Sequence, residues 1–392
     1  MDYQKIRTWM TAHQESLISF VQRLVQTPSM SGQEGAVAAL VRAEMESLGY
    51  DRVWVDEVGN VIGLIEGDDG PALMFNGHMD QVATGDPANW PHPPLGGELH
   101  DGELWGRGAC DMKGALASMV YAGAAVKALG QVPPGPLYVT GVVQEEVGGL
   151  GARHLSRTLP MQRAIVGEAS ANHLRRGHRG RVELDVILEG RSVHASMPEL
   201  GINPHTSMAR FIGALGDLAM ASDASYGVSS VAPTRISSGP ESANVTPAWV
   251  HLVLDWRNIP GEGPAEILSI LQGLVAASLE PGCQGRIEVA SKALTSYTGV
   301  QETYPDVFPS FTTNADHPWL LQSQQTLQSA LGREARIGVW RFATDGGHFA
   351  AAGMEVIGFG PGDDRLVHTV QERIGIDELL ESVVGYAALA LQ

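Results

Sequence analysis

The chain has 392 residues and has little of several things that define whole classes of protein. It contains two cysteines, Cys110 and Cys283, and no CxxC pair, so a disulfide framework, a thiolate zinc finger or an iron–sulfur cluster is poorly supported. Lysine and arginine number 26 against 44 aspartates and glutamates, which gives a formal net charge of −18. This acidic balance argues against nucleic acid or an anionic membrane as the main partner, and it fits a protein that gathers carboxylates around cations.

Long apolar runs are also missing. No stretch approaches the ~18 uninterrupted apolar residues of a transmembrane helix, and the N-terminal segment lacks the basic and apolar regions of a secretory signal. We therefore expect no membrane partner and a cytoplasmic location. The remaining composition, 44% hydrophobic and 18% charged, is that of an ordinary globular protein. Its length suggests two or three domains.

Hydrophobic periodicity predicts an α/β fold at both ends of the chain. An amphipathic helix is predicted at 15–26, further helices at 36–48 and 114–129, and short apolar strands at 72–76 and 137–143. The same texture of strands and helices returns after about residue 318. Strands that alternate with helices in this way are typical of a largely parallel sheet flanked by helices.

The middle of the chain has a different pattern, beginning near Arg176. The run 180–190 alternates like a half-buried strand, and helices and further alternating strands follow it. Such a block predicts an inserted α+β domain with an antiparallel sheet. We therefore predict a discontinuous catalytic domain at 1–177 and 296–392, interrupted by a lid and dimerisation domain at 178–295.

Five segments each deliver a histidine or an acid after an apolar strand or a glycine-rich turn. In chain order they carry His78 with Asp80, Asp111, Glu145 with Glu146, Glu168, and His368. Each residue alone has a structural alternative, such as an N-cap aspartate or a solvated acidic turn. Together they indicate a site at the carboxyl ends of the strands, where α/β sheets bind ligands. Imidazole and carboxylate ligands suit zinc, manganese or cobalt in a hydrolytic site.

The order of these motifs resembles the dinuclear zinc amidohydrolases and exopeptidases, the family of acetylornithine deacetylase, succinyl-diaminopimelate desuccinylase, aminoacylase and carboxypeptidase G. The resemblance rests on His-x-Asp at His78, on Gly-Arg-Gly-x-x-Asp-Met-Lys-Gly at 106–114, on Glu145–Glu146, on Gly-Glu at Glu168 and on the late His368. It extends from about Leu17 to the end of the sequence. It implies a two-metal hydrolase, most simply with zinc, although cobalt or manganese is possible.

The resemblance also assigns roles. Asp111 would bridge the two metals through a turn with a cis peptide bond to Met112. His78 and Glu168 would complete one metal, and Glu146 and His368 the other. Asp80 would orient His78, and Glu145 would be the general base.

The predicted lid contributes further candidates by the same resemblance. His194 resembles a histidine that stabilises the transition state from the lid, and Asn244 and Arg257 resemble lid residues that hold the substrate's carboxylate or carbonyl. The alternatives are a structural role for His194 and a surface ion pair of Arg257 with Asp255 or Glu262. In relatives the lid histidine reaches the partner subunit's site, so we predict a homodimer through the lid with His194 and Asn244 acting in trans.

One loop departs from the family pattern. Many relatives carry Gly-Gly-Thr-Asp-x-Arg; here Thr344 and Asp345 align as substrate-binding residues, but the arginine is absent. The predicted activity is hydrolysis of the amide bond of a small N-acyl-amino acid. The alternatives are an exopeptidase that takes dipeptides or C-terminal residues, and a non-catalytic binding protein, which the presence of Glu145 and all five ligands argues against.

Overall fold

The computed structural model describes residues 3–159 and 161–392, so residues 1, 2 and 160 of the predicted catalytic domain lie outside it. The helices are α1 (Tyr3–Gln26), α2 (Gly35–Ser47), α3 (Gly114–Ala128), α4 (Leu150–Thr158), α5 (Pro204–Leu215), α6 (Pro264–Ser278), α7 (Pro318–Leu331), α8 (Gly346–Ala351) and α9 (Ile376–Ala390). The strands are β1 (Arg52–Val55), β2 (Val61–Ile65), β3 (Leu73–His78), β4 (Glu98–His100), β5 (Glu103–Trp105), β6 (Leu137–Val142), β7 (Arg163–Val166), β8 (Leu174–His178), β9 (Arg181–Glu189), β10 (Ser222–Asp223), β11 (Gly227–Val228), β12 (Ser230–Gly239), β13 (Trp249–Arg257), β14 (Gln284–Val289), β15 (Ser291–Thr295), β16 (Gln301–Pro305), β17 (Val307–Phe308), β18 (Phe311–Thr312), β19 (Ile337–Trp340), β20 (Glu355–Gly358) and β21 (Arg373–Gly375).

The larger sheet has the order β1-β2-β6-β3-β7-β20-β8-β18 within the described residues, with β19 beside β8. Its four central strands, β6, β3, β7 and β20, run parallel to one another. The predicted α/β class is confirmed, but the sheet is mixed rather than largely parallel, because β1, β2 and β18 pair antiparallel. The five residues between β1 and β2 are too few for the crossover that parallel strands require.

Helix α3 is the buried centre of this layer. Nearly every residue of α3 from Gly114 to Val126 is buried, which is the expected position for a helix that is apolar on all sides. Two glycines on the sheet leave room for neighbouring methionines: a Cβ added at Gly77 would lie 3.0 Å from Cε of Met112, in the turn before α3, and one at Gly141 would lie 3.1 Å from Met79. The N-terminal end of α3 therefore lies against the carboxyl ends of β3 and β6.

The second sheet is antiparallel and has the order β12-β13-β9-β14, with the short strand β17 also beside β9. Helices α5 and α6 cover one face and share a hydrophobic core with it that includes Phe211, Leu252 and Leu271. This is the predicted antiparallel sheet. Because β17 belongs to it, the chain is still part of this layer at Val307–Phe308; the division into domains at 178–295 stays a prediction.

Some elements differ from their predicted bounds. Helix α1 begins at Tyr3 rather than at residue 15. Ile6 and Met10 extend its buried face towards the N-terminus. The segment 295–318, for which the sequence suggested no element, contains β16, β17 and β18. Strands of two to five residues are too short to show a hydrophobic period. None of the helices in the described ranges has the length and hydropathy to cross a membrane.

We expect Leu116→Ala to lower the free energy of unfolding by about 2–5 kcal/mol, because it leaves a cavity between α3 and the sheet. Leu116 is fully buried, whereas Leu99 is 46% exposed. Leu99→Ala is the matched control and should change stability by less than about 0.5 kcal/mol. Urea denaturation monitored by circular dichroism measures both; equal effects would contradict the packing described for α3.

Candidate metal centre

The carboxyl ends of the four parallel strands meet at one edge of the larger sheet and carry most of the predicted site. His78 is the last residue of β3, Glu145 and Glu146 follow β6, Glu168 follows β7, and His368 lies in the loop after β20. Because the strands are parallel and adjacent, these side chains converge. The predicted ligands, which are distant in sequence, are therefore neighbours in space.

Asp111 lies between the two histidines. Its Oδ1 is 2.8 Å from Nε2 of His78, and its Oδ2 is 3.0 Å from Nε2 of His368. It sits in the irregular turn Ala109–Lys113 before α3, and its peptide bond to Met112 is cis, as the resemblance predicts. One carboxylate that faces two imidazoles through separate oxygens has the arrangement needed to bridge two cations.

Each histidine also has its own glutamate. Oε2 of Glu146 is 3.1 Å from Nε2 of His368, and Oε1 of Glu168 is 3.6 Å from Nε2 of His78. These contacts pair the residues as the resemblance implies, but the potential ligand atoms of His78, Asp111 and Glu146 also lie within 4.8 Å of one another, so the division into two sets remains a prediction. The potential ligand atoms of His78, Glu145 and Glu168 all lie within 4.8 Å of one another, so Glu145 adjoins the cluster.

Asp80 connects the two sides of the site. Its main-chain oxygen lies 2.9 Å from Nδ1 of His78, and its Oδ1 lies 3.6 Å from the same nitrogen. Its carboxylate also accepts hydrogen bonds from the main-chain N–H groups of Glu145 and Glu146, at 3.0 and 3.2 Å, and from the hydroxyl of Ser31 at 2.7 Å. Asp80 thus contacts the predicted ligand His78 and also holds the turn with both glutamates, which the sequence did not indicate.

The electrostatics of the cluster fit a site for cations. Burial, and then the charge of Asp111, raise the pKa of Glu146 and Glu168. Burial also raises the pKa of Glu145 well above its usual range. The pKa of Asp111 is lowered, because hydrogen bonds to His368 and His78 outweigh its burial. Crowded carboxylates favour ionisation only beside positive charge, and the set of imidazole and carboxylate donors matches the preferences of zinc and related divalent ions.

A second group of potential ligands, His92, Glu98 and His100, lies outside this cluster. The two imidazole rings are stacked, with centroids 3.6 Å apart and an angle of 12° between the planes. Nitrogen lone pairs lie in the plane of each ring, so two nearly parallel rings do not direct them at a common point. Glu98 instead pairs with His100, at 2.9 Å.

The predicted lid residues lie on the second sheet and its loops. His194 and Asn244 are exposed and adjacent, since the main-chain N–H of Ala195 donates to the main-chain oxygen of Asn244 at 2.9 Å. Nδ1 of His194 contacts the hydroxyl of Ser196 at 2.7 Å, and the side chain of Asn244 accepts a hydrogen bond from Ser242. The structure brings these two residues together, but each side chain forms its hydrogen bond with a residue two positions away in the sequence.

The other predicted substrate residues are engaged within the chain. Arg257 forms the alternative ion pair with Asp255, with nitrogen–oxygen distances of 2.6 and 3.1 Å. Thr344 and Asp345 are buried; the Thr344 hydroxyl accepts a hydrogen bond from the N–H of Gly346. That any of the three contacts substrate remains a prediction.

Asp345 instead belongs to a buried network that the sequence did not reveal. Asn76 donates to its Oδ2 at 3.1 Å and accepts a hydrogen bond from Thr140 at 3.0 Å. Burial raises the pKa of Asp345 to about 7. The sequence feature that could have indicated this network is Asn76, a polar residue that follows three apolar residues of β3.

Comparison with known proteins identifies the family of this chain. The model of peptidase family M20/M25/M40 matches residues 74–392. The chain belongs to this family. The protein YgeY of Escherichia coli strain K12 is 30% identical over 386 residues, which are 97% of this chain and 94% of that protein. The succinyl-diaminopimelate desuccinylase of Methylobacterium sp. strain 4-46 is 27% identical over 390 residues, 93% of this chain and 92% of the relative.

A solved structure has the same fold. The YXEP protein of Bacillus subtilis, described as a dinuclear metal binding peptidase from the M20 family, superposes with a TM-score of 0.75 at 16% identity. The match covers 97% of this chain and 98% of that one. Family membership confirms the predicted enzyme class: the chain is an M20 metallohydrolase that cleaves amide bonds.

Binding of divalent cations at this cluster should release protons. Hydrogen bonds to Asp111 and Glu146 raise the pKa of His368 to about 10, so the metal-free site holds protons on this imidazole at neutral pH. A cation binds only after they leave, so affinity should increase as the pH rises from about 6 to about 8. Calorimetry in buffers of different ionisation enthalpy counts the released protons; binding without proton release would contradict the assignment.

Proposed function

We propose that this enzyme hydrolyses the amide bond of N-acyl-amino acids, as a deacetylase, desuccinylase or aminoacylase does, with two divalent metal ions. The observation that carries the proposal is the position of Asp111, whose two oxygens face His78 and His368 separately, with Glu145 beside the cluster. Zinc is the first candidate for both ions, and cobalt and manganese accept the same ligands. The cytoplasm remains the predicted location.

The ligands would divide into two sets that share Asp111. His78 and Glu168 would hold one ion, and Glu146 and His368 the other. Bound divalent ions lower the pKa of a water molecule and polarise a carbonyl group. The protein contributes fixed ligand positions: the strand ends place His78 and Glu168, and Asp80 holds the turn that carries Glu146.

Glu145 is the residue we assign as general base. Its side chain is buried at the cluster, and the hydrogen bond from its main-chain N–H to Asp80 fixes its position. It would take a proton from the attacking water as the carbon–oxygen bond forms, and then give that proton to the leaving amine nitrogen as the amide bond breaks. The products are a carboxylate and a free amino acid. A raised pKa suits a group that must retain a proton between these two transfers.

The substrate class is supported by the relative named as a succinyl-diaminopimelate desuccinylase, whose name describes removal of a succinyl group. The competing function is an exopeptidase, which the description of the YXEP protein favours. Both reactions use the same attack on a carbonyl carbon, so only the substrate distinguishes them. A panel of N-acetyl and N-succinyl amino acids and dipeptides, assayed with zinc, cobalt and manganese, decides between them. Turnover of dipeptides alone would overturn the preference.

Replacement of the base tests the mechanism. Glu145→Gln should lower kcat by about 10²–10⁴-fold, because no carboxylate remains to accept the proton. Metal content and thermal stability should stay close to wild type. Glu57→Gln is the control, because the side chain of Glu57 is 73% exposed; it should leave kcat unchanged. Near wild-type turnover by metal-loaded Glu145→Gln would exclude this residue as the base.

We also propose that the enzyme is a twofold homodimer joined through the predicted lid. Strand β12 forms one edge of the second sheet, and most of its ten residues are exposed, among them Ile236 at 57%. A long, exposed edge strand favours pairing with a second chain. His194 and Asn244 are exposed at the surface of this chain, so they would be free to reach the site of a second copy. From the partner, His194 would stabilise the oxyanion that forms on the substrate carbonyl.

Mixing two inactive variants tests this sharing of sites. His194→Ala and Glu145→Gln each lack a different part of the site. If His194 acts in trans, each mixed dimer has one complete site, and random mixing restores about a quarter of wild-type activity. The variants carry different affinity tags, so the amount of mixed dimer is measured directly. Inactive mixed dimers would show that His194 does not act across the interface.

A further inference from the structure

The segment that carries His368 ends in a buried carboxylate, Glu372, for which the proposed chemistry has no role. We propose that Glu372 is a positioning residue for the metal centre: it fixes the main chain of Asp111 and thereby sets the position of Asp111 relative to His368. The inference rests on the proposed ligand role of Asp111, and it adds a residue to which neither the motifs nor the comparisons assign a function.

One oxygen of Glu372 accepts several hydrogen bonds from the main chain of the turn before α3. Its Oε1 accepts hydrogen bonds from the N–H groups of Gly108, Cys110 and Asp111, at 2.8, 3.2 and 3.2 Å. Asp111 has φ −122° and ψ 92°, so this turn is not helical and its N–H groups need acceptors from elsewhere. Glu372 supplies that acceptor, and the turn is shaped around it.

Glu372 is itself held in place. Its Oε2 pairs with the guanidinium group of Arg107, which lies over the ring of Trp90 at 5.0 Å. Glu372 is completely buried and Arg107 is 3% exposed. The main-chain oxygen of Glu372 accepts a hydrogen bond from Gly106 at 3.1 Å, and the next residues form β21 beside β5. A buried charge with these partners has one defined position.

The segment 368–372 therefore contacts Asp111 at two points. His368 meets its side chain at Oδ2, and Glu372 meets its main-chain N–H. Both sets share Asp111, but His78 ends β3 and Glu168 follows β7, so the set with these two residues has no ligand of its own in this segment. Loss of the Glu372 contacts should therefore weaken the ion held by Glu146 and His368 more than the ion held by His78 and Glu168.

The test compares Glu372→Gln and Glu372→Asp with a matched control. Glu372→Gln keeps the size of the side chain and removes its charge, whereas Glu372→Asp keeps the charge but is one methylene too short to reach the turn. The control is Asp56→Asn. Oδ1 of Asp56 likewise accepts three main-chain hydrogen bonds, from Val58, Gly59 and Asn60, but in the turn between β1 and β2.

Stepwise binding of Co²⁺ to the metal-free proteins, followed by calorimetry and visible absorption, gives a dissociation constant and a spectrum for each ion. We expect both Glu372 variants to raise the dissociation constant of one ion by about 10–100-fold and that of the other ion by a smaller factor, as for residues that orient metal ligands. Asp56→Asn should lower Tm without changing either constant. Glu372→Asp is the second variant if Glu372→Gln does not fold.

Two results would overturn the proposal. If a folded Glu372 variant binds both ions with wild-type constants and spectra, or loses both ions equally, Glu372 does not position Asp111 selectively. Asp111→Ala is measured in parallel. If Asp111→Ala binds cobalt like the wild type, the proposed metal centre is wrong and the role of Glu372 fails with it; if only the Glu372 variants behave like wild type, the metal centre stands and the positioning role alone is lost.

Discussion

Electrostatic repulsion among buried carboxylates is the constraint on which the rest of this structure depends. Asp111, Glu145, Glu146 and Glu168 share one edge of a sheet with two histidines, and burial raises the pKa of each of the three glutamates. Such a cluster is costly unless positive charge is close by. The fold nevertheless holds these groups together, which is physically reasonable when cations compensate their charge.

The surrounding structure fixes the cluster by its main chain. Parallel strands place the residues that follow them at one edge, and Gly77 on β3 leaves room for Met112 in the turn of Asp111 at the same edge. Two further carboxylates, those of Asp80 and Glu372, bind N–H groups of the ligand-bearing turns. Carboxylates thus serve both as candidate ligands and as supports of those ligands, which accounts for part of the acidic composition.

The second sheet has a different relation to the site. It carries His194, Asn244 and Arg257 on exposed loops and a strand end, where their contacts are local. Groups proposed to meet a substrate, or a second chain, need not be packed in the single chain, whereas the proposed metal ligands must converge before any cation binds. The single chain therefore defines the ligand cluster in more detail than the groups proposed for substrate recognition.

The sequence alone determined the fold class and the residues that meet at the cluster, because strand ends and glycine-rich turns leave local patterns and their order resembles a known family. It did not determine the mixed sheet, the short strands after residue 295, the burial of Asp345 or the contacts of Glu372. Those depend on pairs far apart in the chain: Asp111 and Glu372 are separated by 261 positions, and Asn76 and Asp345 by 269. A hydrogen bond between such residues leaves no periodic trace, so only the tertiary structure decides it.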